Sequence, residues 1–154
     1  MSLRNAEFEG ILRDTSKTIE GDIIWKPDPK NDIWLKFKAE ILSEGEAHQL
    51  SIRGTYNSLI RSLSYHIICL PHGRIYGLDM GKDHRNPSTG KLVGEKHKHR
   101  WTEIYRDREA YVPPDITASA SEPVKVWRQF CEEATIRHNG VMHSIPEQQM
   151  DMFL

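Results

Sequence analysis

The plainest periodicity in the chain lies between Asp32 and Leu42, where Ile33, Leu35, Phe37, Ala39 and Ile41 alternate with Trp34, Lys36, Lys38 and Glu40. Successive side chains of a strand point to opposite faces, so this stretch predicts a strand with one buried and one wet face. Before it, Asp22 to Trp25 predicts a short strand stopped by Lys26-Pro-Asp-Pro-Lys30, because proline cannot donate to a ladder. The two are expected to form a hairpin. His48 to Gly54 alternates Leu50 and Ile52 with Ser51 and Arg53 and predicts a third strand. From Thr55 to Ser62 the pattern loosens into a loop or short helix. Leu63 to Leu70 is nearly continuously apolar, which suits a central strand covered on both sides, with His66 as a hydrogen-bonded core residue. Pro71-His72-Gly73 turns the chain, Arg74 to Met80 returns as a hairpin partner, and Lys96 to Tyr105 follows as another strand.

Behind these strands Val124, Trp127, Cys131 and Ala134 recur at helical spacing with Phe130 beside them. This predicts an amphipathic helix capped by Ser121 and ended by Arg137, His138 and Asn139-Gly140. The expected fold class is α+β: a curved, mainly antiparallel sheet of about six strands with one C-terminal amphipathic helix packed on its apolar face. Residues 1–140 are expected to form that single domain, and residues 141–154 a flexible C-terminal tail.

Composition changes this picture little. A chain of 154 residues can bury a core without staples. A net charge of −1 with 28% charged residues gives no global bias toward nucleic acid. Cys69 and Cys131 form neither a disulfide framework nor a CxxC pair, which points to a reduced, cytoplasmic setting. The sequence shows neither a basic-then-apolar leader nor an apolar run near about 18 residues, so no membrane partner is expected. A glycine-rich phosphate loop, a GxSxG elbow and an HExxH helix are all missing, which argues against those enzyme classes.

Charge matters locally. Between Lys82 and Arg106, Lys82, Arg85, Lys91, Lys96, Lys98, Arg100 and Arg106 face only Asp83, Glu95 and Glu103. Lys82, Arg85, Lys96, Lys98 and Arg100 are therefore candidates for contact with DNA or RNA. Strand alternation puts His97 and His99 on one face and Lys96, Lys98 and Arg100 on the other. With Asp79 on a neighbouring strand, Asp79, His84, His97 and His99 can converge. Such a set can bind a divalent metal, hold a phosphate, or run paired acid–base chemistry without a metal. The bland alternative is a long loop tied down by its own charges, with the histidines as exposed strand residues.

This stretch resembles the small bacterial toxins of the TumE type, in which a strand-end aspartate is followed by histidines and a later His-x-His. The matching residues are Asp79, His84, His97 and His99; the tryptophan before the aspartate and the paired histidines of that family are absent. The resemblance implies a ribonuclease-like role with these four as catalytic residues.

At the end of the chain, Gln149-Met150-Asp151-Met152-Phe153-Leu154 places a glutamine ahead of spaced apolar residues and an aromatic. It resembles the peptide that bacterial polymerases and repair proteins insert into the DNA sliding clamp, with methionine where leucine is usual. The resemblance implies a bacterial or mobile-element protein that docks on the clamp through Gln149, Met150, Met152 and Phe153. The alternative is a tail that folds back over an apolar face. Docking on the clamp, a small nuclease and a non-enzymatic binding module are thus the three expectations for function.

Overall fold

A computed structural model describes residues 2–45 and 48–146. Helix α1 (Asn5–Arg13) opens the fold; no element was expected there from the sequence. Its first turn is closed by Glu7, whose side chain accepts from the backbone and side chain of Arg4. Its end is closed by the buried Lys17, whose Nζ donates to Ile11 O, Leu12 O and Asp14 O at 2.6, 2.8 and 2.9 Å. The last carbonyls of a helix have no partner of their own, and a cation suits their dipole.

Strands β1 (Thr18–Glu20), β2 (Lys26–Pro27), β3 (Leu35–Ile41), β4 (Gln49–Asn57), β5 (Ser62–Leu70), β6 (Gly73–Met80), β7 (Lys96–Arg100) and β8 (Ala110–Tyr111) follow, then helix α2 (Pro123–Glu133) and β9 (Arg137–Asn139). Strands β2 to β8 form one seven-stranded sheet in sequence order. Every neighbouring pair in it is antiparallel. A small parallel pair, β1 with β9, joins its edge through two backbone hydrogen bonds between Thr18 and Leu42. The class is α+β with a mainly antiparallel sheet, as the alternation implied.

Several boundaries differ from the sequence expectation for physical reasons. Asp22 to Trp25 is not a strand of the main sheet: Ile23 bridges Met142 in parallel, and only Lys26–Pro27 pairs with β3. β4 continues through Thr55 to Asn57, because Tyr56 turns into the core beside Trp25. Ser121 does not cap α2; its hydroxyl pairs with Ser119, and the helix starts at Pro123. Thr135 takes a positive φ of 58° and Ile136 N–H closes on Cys131 O at 2.9 Å, so the helix stops before Arg137. His143 N–H donates to Ile23 O and Met142 is buried, so residues expected at the start of a flexible tail lie against the domain.

Both helices pack on the same face of the sheet. Trp127 meets Tyr65 at 5.1 Å and Phe37 at 5.7 Å, Phe130 meets Tyr76 at 5.6 Å, and Phe8 reaches Tyr76 at 6.5 Å between ring centroids. Burying one such apolar side chain contributes roughly 1.5–3 kcal/mol. The opposite face is left to polar residues: Lys36 and Lys38 on β3, Arg53 and Thr55 on β4, Ser64 and His66 on β5, Asp79 on β6, His97 and His99 on β7.

Candidate functional site

Register brings the polar residues together. Ser64 pairs with Asp79 and Asp79 with His97; in the next row His66 pairs with Gly77 and Gly77 with His99. Same-face neighbours in adjacent strands are about 5 Å apart, so the three strands present one compact cluster.

Asp79 is its centre. Oδ1 accepts from Ser64 Oγ at 2.7 Å and His66 Nε2 at 2.8 Å. Oδ2 lies 3.4 Å from Arg74 Nη1, 3.2 Å from His99 Nε2 and 3.6 Å from His97 Nε2. Burial opposes ionisation of Asp79, yet the contacts with His66, His97 and His99 hold its carboxyl far below the usual carboxylate range. Burial also works against the imidazolium of His97, but Asp79 and Gly94 O outweigh it and raise the His97 pKa. In His99 burial wins with the help of Arg74, and the pKa falls.

The histidines are oriented from outside. His97 Nδ1 donates to Gly94 O and His99 Nδ1 to Asp107 O, each at 2.8 Å, and His84 Nε2 donates to Arg108 O at 2.6 Å. A carbonyl oxygen only accepts, so these nitrogens carry the protons. The nitrogens left over are Nε2 of His97, Nε2 of His99 and Nδ1 of His84. One ligand atom from each of the three residues lies within 4.8 Å of the others. His84 reaches the cluster because its loop is clasped: Asp83 Oδ1 accepts from the amides of His84 and Gly94, while Asn86 exchanges two hydrogen bonds with the backbone of Ala110.

The cluster floors a groove of about 440 Å³ whose walls include Trp34, Arg74, Lys82 and Arg108. Of the expected cations only Lys82 borders it. Arg85 donates to Gly90 O within its own loop. Lys96, Lys98 and Arg100 lie on the helix side of β7, because carboxylates and carbonyls distant in sequence cover that side. Lys98 is 0% exposed, 2.6 Å from Asp115 and 3.0 Å from Glu133; Lys96 donates to Ile116 O and Arg100 pairs with Glu9. Lys98 is thus buried, while Lys96 and Arg100 are half-buried and engaged by partners on that side. His66 and Arg74 were not singled out for the site. The signal for His66 was present in its spacing from Ser64, which puts both on the face away from Leu63, Tyr65 and Ile67. Gln149, Met150, Met152 and Phe153 lie outside the described residues.

No helix among the described residues is long and apolar enough to cross a membrane. Neither a curated protein nor a solved structure matches the chain. A family does match, over residues 3–136, and this span includes α1, the main sheet, α2 and every residue of the histidine cluster. The chain belongs to that family, which is described as a family of unknown function, DUF6978.

Proposed function

We propose that this protein is a metal-dependent hydrolase of phosphodiesters, a nuclease-type activity seated at Asp79, His84, His97 and His99. One observation carries the reading: three imidazoles each give an N–H to a main-chain carbonyl, and one ring nitrogen from each lies within 4.8 Å of the others. Metal-ligating histidines are generally held this way, since the outer hydrogen bond fixes tautomer and ring plane. Three imidazole ligands suit zinc or a neighbouring first-row ion and leave a position for water or substrate. An ion of this kind supplies Lewis-acid polarisation and an activated water near neutral pH.

The chain's own residues do the rest. Asp79, ionised and oriented by Ser64, His66 and Arg74, is a hydrogen-bond acceptor that would align an incoming water. Lys82 and Arg108, both exposed at the groove, supply positive charge for a phosphate. The 3.6 Å approach of Asp79 Oδ2 to His97 Nε2 favours a second reading, in which that nitrogen is protonated and His97 and His99 act as acid and base without a metal.

Calorimetric titration of chelator-stripped protein with Zn²⁺ or Co²⁺ is expected to give one site, lost in His84→Ala and His99→Ala. Cleavage of bis(p-nitrophenyl) phosphate is expected to stop in EDTA and return with the ion. Cleavage that persists in EDTA selects the metal-free reading. Absence of both metal uptake and cleavage removes the proposed activity.

A further inference from the structure

Lys38 and Arg53 stand opposite one another on the polar face of the sheet, and neither has an ion-pair partner among the described residues. They begin a cross-strand row that continues through His66 and Gly77 to His99. The adjacent row runs from Lys36 through Thr55, Ser64 and Asp79 to His97. Strands sit about 4.8 Å apart, so the lysine end is about 19 Å from the histidine end. A hollow of about 550 Å³ lies over the lysine end. Thr55 and Ser64 border both this hollow and the histidine groove, so the two adjoin.

The carboxylates near this strip are already engaged. Asp28 is 2.6 Å from Lys36 Nζ, Asp107 binds Arg74, and Asp83 accepts two backbone amides. Glu40 lies one row beyond Lys38, opposite Ser51. What remains is a positive track formed by Lys38 and Arg53 at one end and the exposed Lys82 and Arg108 at the other. Trp34, which precedes β3, also lines the histidine groove. Of the four tryptophans, it alone packs against no other ring among the described residues.

We infer that this strip seats single-stranded nucleic acid, with phosphates over Lys38 and Arg53, a base against Trp34, and the chain continuing to the histidine cluster. This rests on the phosphodiester reading and names its substrate class. Separated cations along a track match the regular charges of a polynucleotide backbone better than a lone phosphate. An indole at the groove with no ring packed on it offers stacking that tolerates any base, and such stacking requires bases free of a duplex. At a stacked rise of ~3.4 Å the strip accepts up to about five nucleotides.

The test is anisotropy of labelled oligouridylate and oligothymidylate with the full chain in EDTA, where neither metal uptake nor metal-dependent cleavage enters. Four phosphate contacts predict a log–log salt slope of about −2.8, and Lys38→Gln with Arg53→Gln is expected to flatten it to about −1.4 and weaken binding about tenfold. Trp34→Ala is expected to weaken binding about tenfold without changing the slope. Because Lys38 and Arg53 are exposed, their double variant should keep the wild-type thermal midpoint. His99→Ala should still bind the strand after losing the ion, so a failed metal reading is told apart from a failed strand reading. Wild-type affinity and slope in the double variant would overturn the inference. So would the lack of binding at low salt, or a duplex that displaces the single strand at equal concentration.

Discussion

Gly77 and His66 share one space on the polar face: a Cβ on Gly77 would lie 2.6 Å from Cδ2 of His66. The missing side chain is what allows the His66 ring to reach Asp79 from the neighbouring strand. Gly77→Ala should push that ring aside, costing about 1–3 kcal/mol in urea unfolding and lowering metal affinity at least about tenfold. Unchanged stability and affinity together would show that His66 is dispensable to the cluster.

Asp79 sets an acid limit on stability in the metal-free protein. Its folded pKa is depressed, so as pH falls below about 4 the unfolded chain takes up this proton first and stability drops. The Asp79 contribution is therefore complete above that range and lost below it. His97 and His99 shift in opposite directions, so their contributions to the pH dependence have opposite signs. Urea midpoints measured from pH 5.5 downward should fall steeply in wild type and less steeply in Asp79→Asn; parallel curves would refute this.

Lys98 is the cation between two carboxylates beneath the sheet. Lys98→Met leaves Asp115 and Glu133 facing one another without it, at a cost of about 3 kcal/mol. Adding Glu133→Gln should restore part of the loss, and a double-mutant cycle measures the coupling. Strict additivity would mean that the network carries no cooperative energy.

The proposal that the C-terminal peptide docks on a sliding clamp is tested apart from the fold. A synthetic peptide of residues 146–154 is expected to bind purified bacterial sliding clamp, and Met152→Ala with Phe153→Ala to abolish it, since few anchors carry such interfaces. The same pair of substitutions in the whole protein should leave the thermal midpoint unchanged. No heat at high micromolar clamp would show the likeness to be accidental.

How much was legible depended on whether a residue's partners were local. Alternation alone puts His97 and His99 opposite Lys96 and Lys98, and the register of β6 with β7 supports that division. It does not say which side is open. Lys98 reads as solvated until Asp115 and Glu133 arrive from distant parts of the chain. α1 is faint in the sequence because only Phe8 and Leu12 are fully buried in it, its N-cap is an arginine, and its last carbonyls are held by a lysine. His66 read as core because its neighbours Tyr65 and Ile67 are. The useful signal was the recurrence of polar side chains at every second position.

The three carbonyls behind the histidines come from two separate loops: Gly94 from the segment before β7, Asp107 and Arg108 from the segment after it. An ion bridging His84, His97 and His99 would therefore fasten both segments at once. Amide exchange at the main chain of 83–94 and 105–110 should slow together when the ion is present, so the protein's protease resistance would report occupancy without any substrate.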